Sequence, residues 1–183
     1  MAQKALVVGA SGMLTEVARW LAKQGYEVTV VGRNRGKLEE VRDGSSHPES
    51  FTLLALDYHQ SDYLREAMEQ LVAKQGHIQL VVSWIHQTAP EVLPTIGEVL
   101  SRPQKEWNLY HVCGSRAWRN PPVVPEGIGC TYHRIILGFV CGEKESRWLT
   151  NGEIAQGVIQ AIQAAEPQFI VGSVEPWERR PSY

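Results

Sequence analysis

The chain has 183 residues, which is long enough for one domain with a sizeable core. Its net charge of -2 leaves no basic footprint for DNA or RNA, and no apolar run approaches membrane-spanning length. Its three cysteines, Cys113, Cys130 and Cys141, cannot all pair and lack metal-ligand spacing, so reduced, mostly structural thiols in a cytoplasmic protein are expected, with no metal.

Lys4-Ala5-Leu6-Val7-Val8 predicts a strand that runs straight into Gly9-Ala10-Ser11-Gly12-Met13-Leu14-Thr15. A strand so near the first residue leaves no room for a signal peptide. A helical pattern continues to Gln24, with Leu14, Val17, Ala18 and Leu21 on one apolar face. Gly25 stops it, and residues 26–33 resume as a second strand. Residues 37–41 predict a short helix and 43–50 a polar loop. A third strand over 51–56 is closed by Asp57-Tyr58. Ser61 is the expected N-cap of a helix whose face is Leu64, Ala67, Met68, Leu71 and Val72, ended by Gly76.

Residues 78–84 form a near-continuous apolar run, as expected of a central parallel strand covered on both faces. A helix is predicted over 90–100, with Pro94 near its first turn. Residues 107–113 predict a fifth strand that stops at Gly114-Ser115. The stretch 116–129 is rich in proline and glycine and predicts an irregular crossover, followed by a sixth strand over 131–140. Ser146-Arg147-Trp148 reads as a solvated loop. Thr150-Asn151-Gly152-Glu153 then places a hydroxyl and a carboxylate in capping-box spacing. The helix it opens carries Ile154, Ala155, Val158, Ile159 and Ile162, and residues 168–172 predict the last strand.

Strands alternating with helices predict an α/β protein: a three-layer, doubly wound parallel sheet of about seven strands in the order 3-2-1-4-5-6-7, a Rossmann fold. Residues 1–183 are expected to form a single domain, without internal repeats or low-complexity tracts.

The opening strand, glycine turn and helix form a unit that places a phosphate on a helix N-terminus. Unpaired N–H groups and the helix dipole both favour negative charge there. Gly9, Ala10, Ser11, Gly12, Met13 and Leu14 are the expected cradle. Past the second strand, where an acidic residue would hold a ribose 2′-hydroxyl, stands Gly32-Arg33-Asn34-Arg35. An arginine there pairs with a 2′-phosphate, so NADP(H) is expected over NAD. His86 follows a strand C-terminus, where open α/β sheets bind ligands, and histidine titrates near physiological pH. It is the candidate proton donor, whereas His111, inside the fifth strand, is expected to be packed. Ser115 also stands at a strand C-terminus. Tyr132 and Arg134 read as a cross-sheet side chain and a solvated charge, and Trp84 and Trp148 as packing residues, with Trp84 the better placed to meet a ligand ring.

Gly9-Ala10-Ser11-Gly12, Gly32-Arg33-Asn34 with Lys37-Leu38-Glu39-Glu40, and Leu56-Asp57-Tyr58 resemble the short-chain dehydrogenase/reductase family. The resemblance implies that Asp57, with Tyr58, lies by the adenine. It implies that Ser83, Trp84, Ile85 and His86 line the nicotinamide side, and that Ser115 is catalytic. The departures are specific. The family's usual glycine pattern has one more residue between its first two glycines, and Thr15 stands where a related pattern has a third. The Asn-Asn-Ala-Gly segment is replaced by Ser83-Trp84-Ile85-His86. The tyrosine and lysine spaced four apart on a helix are missing, since Tyr132 is followed four places on by Ile136. The chain is short for the family, and the shortfall falls between the fifth and sixth strands.

Carbonyl reduction needs a proton donor at the developing alkoxide. The expected function is therefore an NADP(H)-binding oxidoreductase with an atypical site, in which Ser115 and His86 are catalytic and the carbonyl or alcohol substrate is unnamed. The alternatives are a non-catalytic NADP(H)-binding module or redox sensor and, more weakly, a cradle for a nucleotide-sugar or other phosphate ligand. Neither nucleic acid nor membrane is an expected partner. The apolar last helix and strand, with Trp177, suggest a homodimer or homotetramer surface, as in the family.

Overall fold

A computed structural model describes residues 1–124 and 127–182. In chain order the elements are β1 (Lys4–Val8), α1 (Thr15–Lys23), β2 (Glu27–Gly32), α2 (Arg35–Asp43), β3 (Phe51–Ala55), α3 (Ser61–Gln75) and β4 (Leu80–Ser83). These are followed by α4 (Val92–Leu100), β5 (Trp107–Gly114), β6 (Cys130–Leu137), β7 (Phe139–Cys141), β8 (Ser146–Trp148), α5 (Asn151–Ala164) and β9 (Gln168–Val171). The main sheet has seven strands in the order β3-β2-β1-β4-β5-β6-β9, with parallel pairing throughout. With β9 as the seventh strand, this is the expected doubly wound order.

Alternation along each strand sends side chains into two layers. One face carries Val7, Val30, Val82 and Ile135 against Val17 and Leu21 of α1, Leu38 of α2 and Val158 of α5. The other carries Leu6, Val8, Val31 and Val81 against Leu64 and Met68 of α3 and Ile96 of α4. Each large aliphatic side chain buried in these layers contributes roughly 1.5–3 kcal/mol. Ile154, Ala155, Val158 and Ala161 of α5 are buried in the first of these layers, where α5 packs beside α1. No helix among the described residues is long and apolar enough to cross a membrane.

The register sets the edge that carries the candidate site. Val8 pairs with Val31 and with Ser83, Ser83 with His111, and Gly114 with Leu137. The C-terminal strand ends therefore lie side by side and deliver the Gly9–Leu14 loop, Arg33, Asp57, Trp84 and Ser115 to one edge of the sheet.

Several local expectations change. Gln60, not Ser61, occupies the N-cap of α3, and Ser61 is its first helical residue. Part of the expected 43–50 loop is the 3-10 turn Pro48–Ser50. The expected sixth strand divides at Gly138. There Phe139 exchanges backbone hydrogen bonds with Ser173, both at 2.8 Å, and β7 pairs antiparallel with β8. Ser146-Arg147-Trp148 is thus a strand of a small hairpin rather than a loop. The capping box is present: Thr150 Oγ1 accepts from Glu153 N at 3.2 Å, and Glu153 Oε2 accepts from Thr150 N at 2.8 Å. Of the 116–129 crossover, Pro125 and Glu126 lie outside the described residues.

Candidate cofactor and substrate site

The Gly9–Leu14 loop is shaped by two constraints. Gly9 has φ +86, in the region that favours glycine, and a Cβ there would lie 2.5 Å from the Trp84 carbonyl oxygen. Thr15 Oγ1 donates to Ala10 O at 2.7 Å, so the threonine that replaces a glycine pins the turn from within. Ala10 and Leu14 are fully buried, so what these positions can offer a ligand is backbone. Ser11 and Gly12 are exposed, and a Cβ on Gly12 would meet nothing within 4 Å. The N-terminus of α1 has no side-chain cap. An open approach to uncapped helix N–H groups fits a phosphate group.

Arg33 is exposed beyond β2 and helps to hold the Asp57 carboxyl below the usual carboxylate range. The larger cause is His59, whose ring and backbone N–H both bond Asp57 Oδ1, at 2.8 and 3.1 Å. From His59 the polar contacts continue to Thr88 Oγ1 at 3.0 Å and from there to His86 Nδ1 at 3.3 Å. The loops after β3 and β4 are joined by this chain. Tyr58 stacks on His59 with ring centroids 5.0 Å apart. Asn34 accepts from Lys37 N at 3.0 Å and so caps α2. Ser83 is fully buried at the end of β4, and among the described residues its Oγ has no hydrogen-bond partner.

Beside this edge lies a cavity of about 490 Å³, lined among others by Trp84, His86, His111, Cys113, Ser115 and Arg116. Ser115 opens a 3-10 turn, Ser115–Trp118, immediately after β5. His111 Nδ1 and the Tyr132 hydroxyl are 2.9 Å apart. Burial, and then the Arg134 guanidinium, hold the His111 imidazolium pKa down at about 4. Burial pushes the Cys113 thiol up to about 12. Arg180, from the C-terminal segment, donates from Nε to Ser115 Oγ at 2.8 Å. Its guanidinium sits 4.8 Å from the Trp148 ring centroid and 5.3 Å from that of Trp177.

Residues 3–84 match the family model for short chain dehydrogenase. The match begins just before β1, takes in the Gly9–Gly12 loop, Arg33 and Asp57, and ends on Trp84. Over that stretch the chain carries the short chain dehydrogenase pattern. No curated protein matches the sequence. Solved structures with the same fold include F189W actinorhodin polyketide ketoreductase with NADPH, with a TM-score of 0.70 and 15% identity over 93% of this chain and 96% of that one. A betaketoacyl-[ACP] reductase (FabG) from Bacteroides thetaiotaomicron has a TM-score of 0.67 and 15% identity over 94% of this chain and 95% of the other. A short-chain dehydrogenase from Streptomyces avermitilis has a TM-score of 0.67 and 13% identity over 94% and 88%.

Set against the short chain dehydrogenase pattern, the fold gathers Ser115 and His86 onto one cavity and keeps Arg33 and Asp57 together at the other end of the strand edge. His111, expected to be packed, is held by burial and by Tyr132, and it also contributes to the cavity lining. Arg116 and Arg180 are additions that the sequence did not signal. Arg180 is separated from Ser115 by 65 positions and joins it through tertiary folding alone. Among the described residues, no group of three His, Cys, Asp or Glu is placed to hold a metal ion.

Proposed function

We propose that the protein is an NADP(H)-binding oxidoreductase with an atypical proton-donating arrangement. The observation that carries this is the pairing of an open, glycine-turned helix N-terminus with exposed Arg33 beyond the next strand. The first suits a pyrophosphate, and the second suits a ribose 2′-phosphate. A solved relative in fold contains NADPH, which is consistent with that assignment.

A bound nicotinamide would supply or accept hydride. The chain's own part is to orient a substrate oxygen against Ser115 and to hold a proton at His86, both of which line the same cavity. Trp84 walls the cavity on the cofactor side.

The second reading is a non-catalytic NADP(H)-binding module or redox sensor. Tyr132 favours it. This tyrosine lies on β6, is bonded to His111, and has Ile136 rather than lysine four places on.

Fluorescence titration with NADPH and NADH, on the wild type and on Arg33→Ala, tests the assignment. NADPH is expected to bind more tightly, and the variant to lose that preference. Equal binding of NADPH by both proteins would overturn the 2′-phosphate role. Tight binding without turnover across an aldehyde and ketone panel would favour the module.

A further inference from the structure

The cavity beside Ser115 has a polarity that indicates a substrate class. Among the described residues no carboxylate lines it. Arg116 lines it, is exposed, and makes no ion pair with any described residue. The nearby acid Glu175 is engaged elsewhere, accepting from Trp118 Nε1 at 3.0 Å and from Trp177 N at 2.9 Å. The remaining wall includes apolar Ile85, Val112 and Ala117.

Ser115 and Arg180 set the second feature. A guanidinium N–H only donates, so Ser115 Oγ is the acceptor in that bond. The hydroxyl hydrogen is left to point at another acceptor, and no hydrogen bond to a described residue uses it. A positively charged donor behind the oxygen strengthens that outward donation. Arg180 is steadied by Trp148 and Trp177, and Trp177 is itself faced by Arg119 at 4.4 Å. Arg179 bonds the carbonyls of Gly142 and Glu143 in the β7–β8 hairpin, which anchors the segment that delivers Arg180.

We infer that the cavity takes a small oxo acid, with its carbonyl oxygen on Ser115 and its carboxylate on Arg116, and that Arg180 is the positioning residue that holds Ser115 as the donor. Ser115 and Arg116 line the same cavity, so one short molecule can offer its carbonyl to the first and its carboxylate to the second. This inference names the substrate class for the oxidoreductase proposed above and rests on that reading for its cofactor. Ligand seating can be measured without the cofactor.

The experiment is calorimetric titration of the whole protein with pyruvate and acetoacetate, and with acetone as the uncharged counterpart, alongside the NADPH titration. Both acids are expected to bind and acetone is not. Arg116→Ala and Ser115→Ala should each weaken acid binding about tenfold or more. Arg180→Ala should weaken it comparably, Arg180→Lys should restore part of the loss, and Ser115→Ala/Arg180→Ala should be no weaker than Ser115→Ala alone. Melting curves confirm that each variant is folded, and Arg180→Lys carries the test if Arg180→Ala is not. Acid binding that depends on these residues but without NADPH binding would uphold the seat and overturn the cofactor reading. NADPH binding with turnover of neutral ketones and no affinity for either acid would overturn the substrate class and leave the cofactor reading standing. Additive losses in the double variant would overturn the positioning role of Arg180.

Discussion

The Trp84 carbonyl oxygen lies 2.5 Å from the point that a Cβ on Gly9 would occupy. The end of β4 is thus packed directly onto the glycine turn after β1, and the two neighbouring strands share one corner of the candidate site. Gly9→Ala is therefore expected to damage the fold as well as the site, because the residue is held at φ +86 and has no space for a side chain. A loss of at least about 1–3 kcal/mol is expected. At this chain length each kcal/mol corresponds to roughly 2–4 °C in Tm. Gly12→Ala should behave differently, since a Cβ there meets nothing within 4 Å. Its stability should stay within about 0.5 kcal/mol of the wild type, while NADPH affinity drops, because the new methyl group faces the phosphate approach. Thermal melts paired with NADPH titrations check both. A Gly12→Ala protein with unaltered NADPH affinity would contradict the pyrophosphate placement.

His111 gives a pH dependence with a definite sign. Its pKa is about 4 in the fold, against 6.5 for an unperturbed histidine, because burial disfavours the charged ring. The unfolded chain therefore binds the proton more readily, and stability falls as pH drops from about 6.5 toward about 4. The contribution is of order 2–3 kcal/mol across that window. His111→Gln keeps a polar partner for Tyr132 and should flatten this part of the stability–pH curve. Denaturant melts between pH 4 and 7 measure it, and an unchanged slope in the variant would refute the assignment.

Thr150→Ala removes one half of the capping box at the start of α5. Glu153 then loses the hydroxyl that bonds its N–H, while its carboxylate stays paired with Arg147 at 2.9 Å. The expected cost is about 1 kcal/mol, read as a small drop in the denaturant midpoint with an unchanged slope. A cost near zero would mean that α1 and β9 hold α5 without help from the cap.

If the cavity is catalytic, Ser115→Ala and His86→Ala should each lower kcat by roughly 10²-fold or more, the usual scale for a lost oxyanion donor or general acid. NADPH affinity should change little, because neither side chain belongs to the phosphate cradle. Steady-state kinetics on any substrate the wild type turns over, with both variants side by side, would test this. Full activity in both would move the chemistry elsewhere.

The layer order, the phosphate turn and the identity of nearly every strand are legible in the sequence. Periodicity reports burial: 80–83 is apolar at every position but the last, and β4 is covered on both faces. Leu64, Met68, Leu71 and Val72 recur at helical spacing, and they are the buried face of α3. Where expectation and structure part, long-range contacts decide. The break after Leu137 depends on Ser173 arriving to pair with Phe139, and nothing in 131–140 announces a partner more than thirty positions away.

The site divides in the same way. By itself the sequence marked the proposed cofactor end, because a glycine turn followed by a helix, and an arginine past the next strand, are local patterns whose chemistry follows from backbone geometry. Only the tertiary structure decided the proposed substrate end. Ser115, His86 and His111 share a cavity because parallel strands in register bring their C-terminal ends together. Arg180 stands behind Ser115 because the C-terminal segment returns across the β7–β8 hairpin to reach it. Local pattern carries the information for burial and for turns, whereas a side chain brought in by a distant segment leaves no spacing to read.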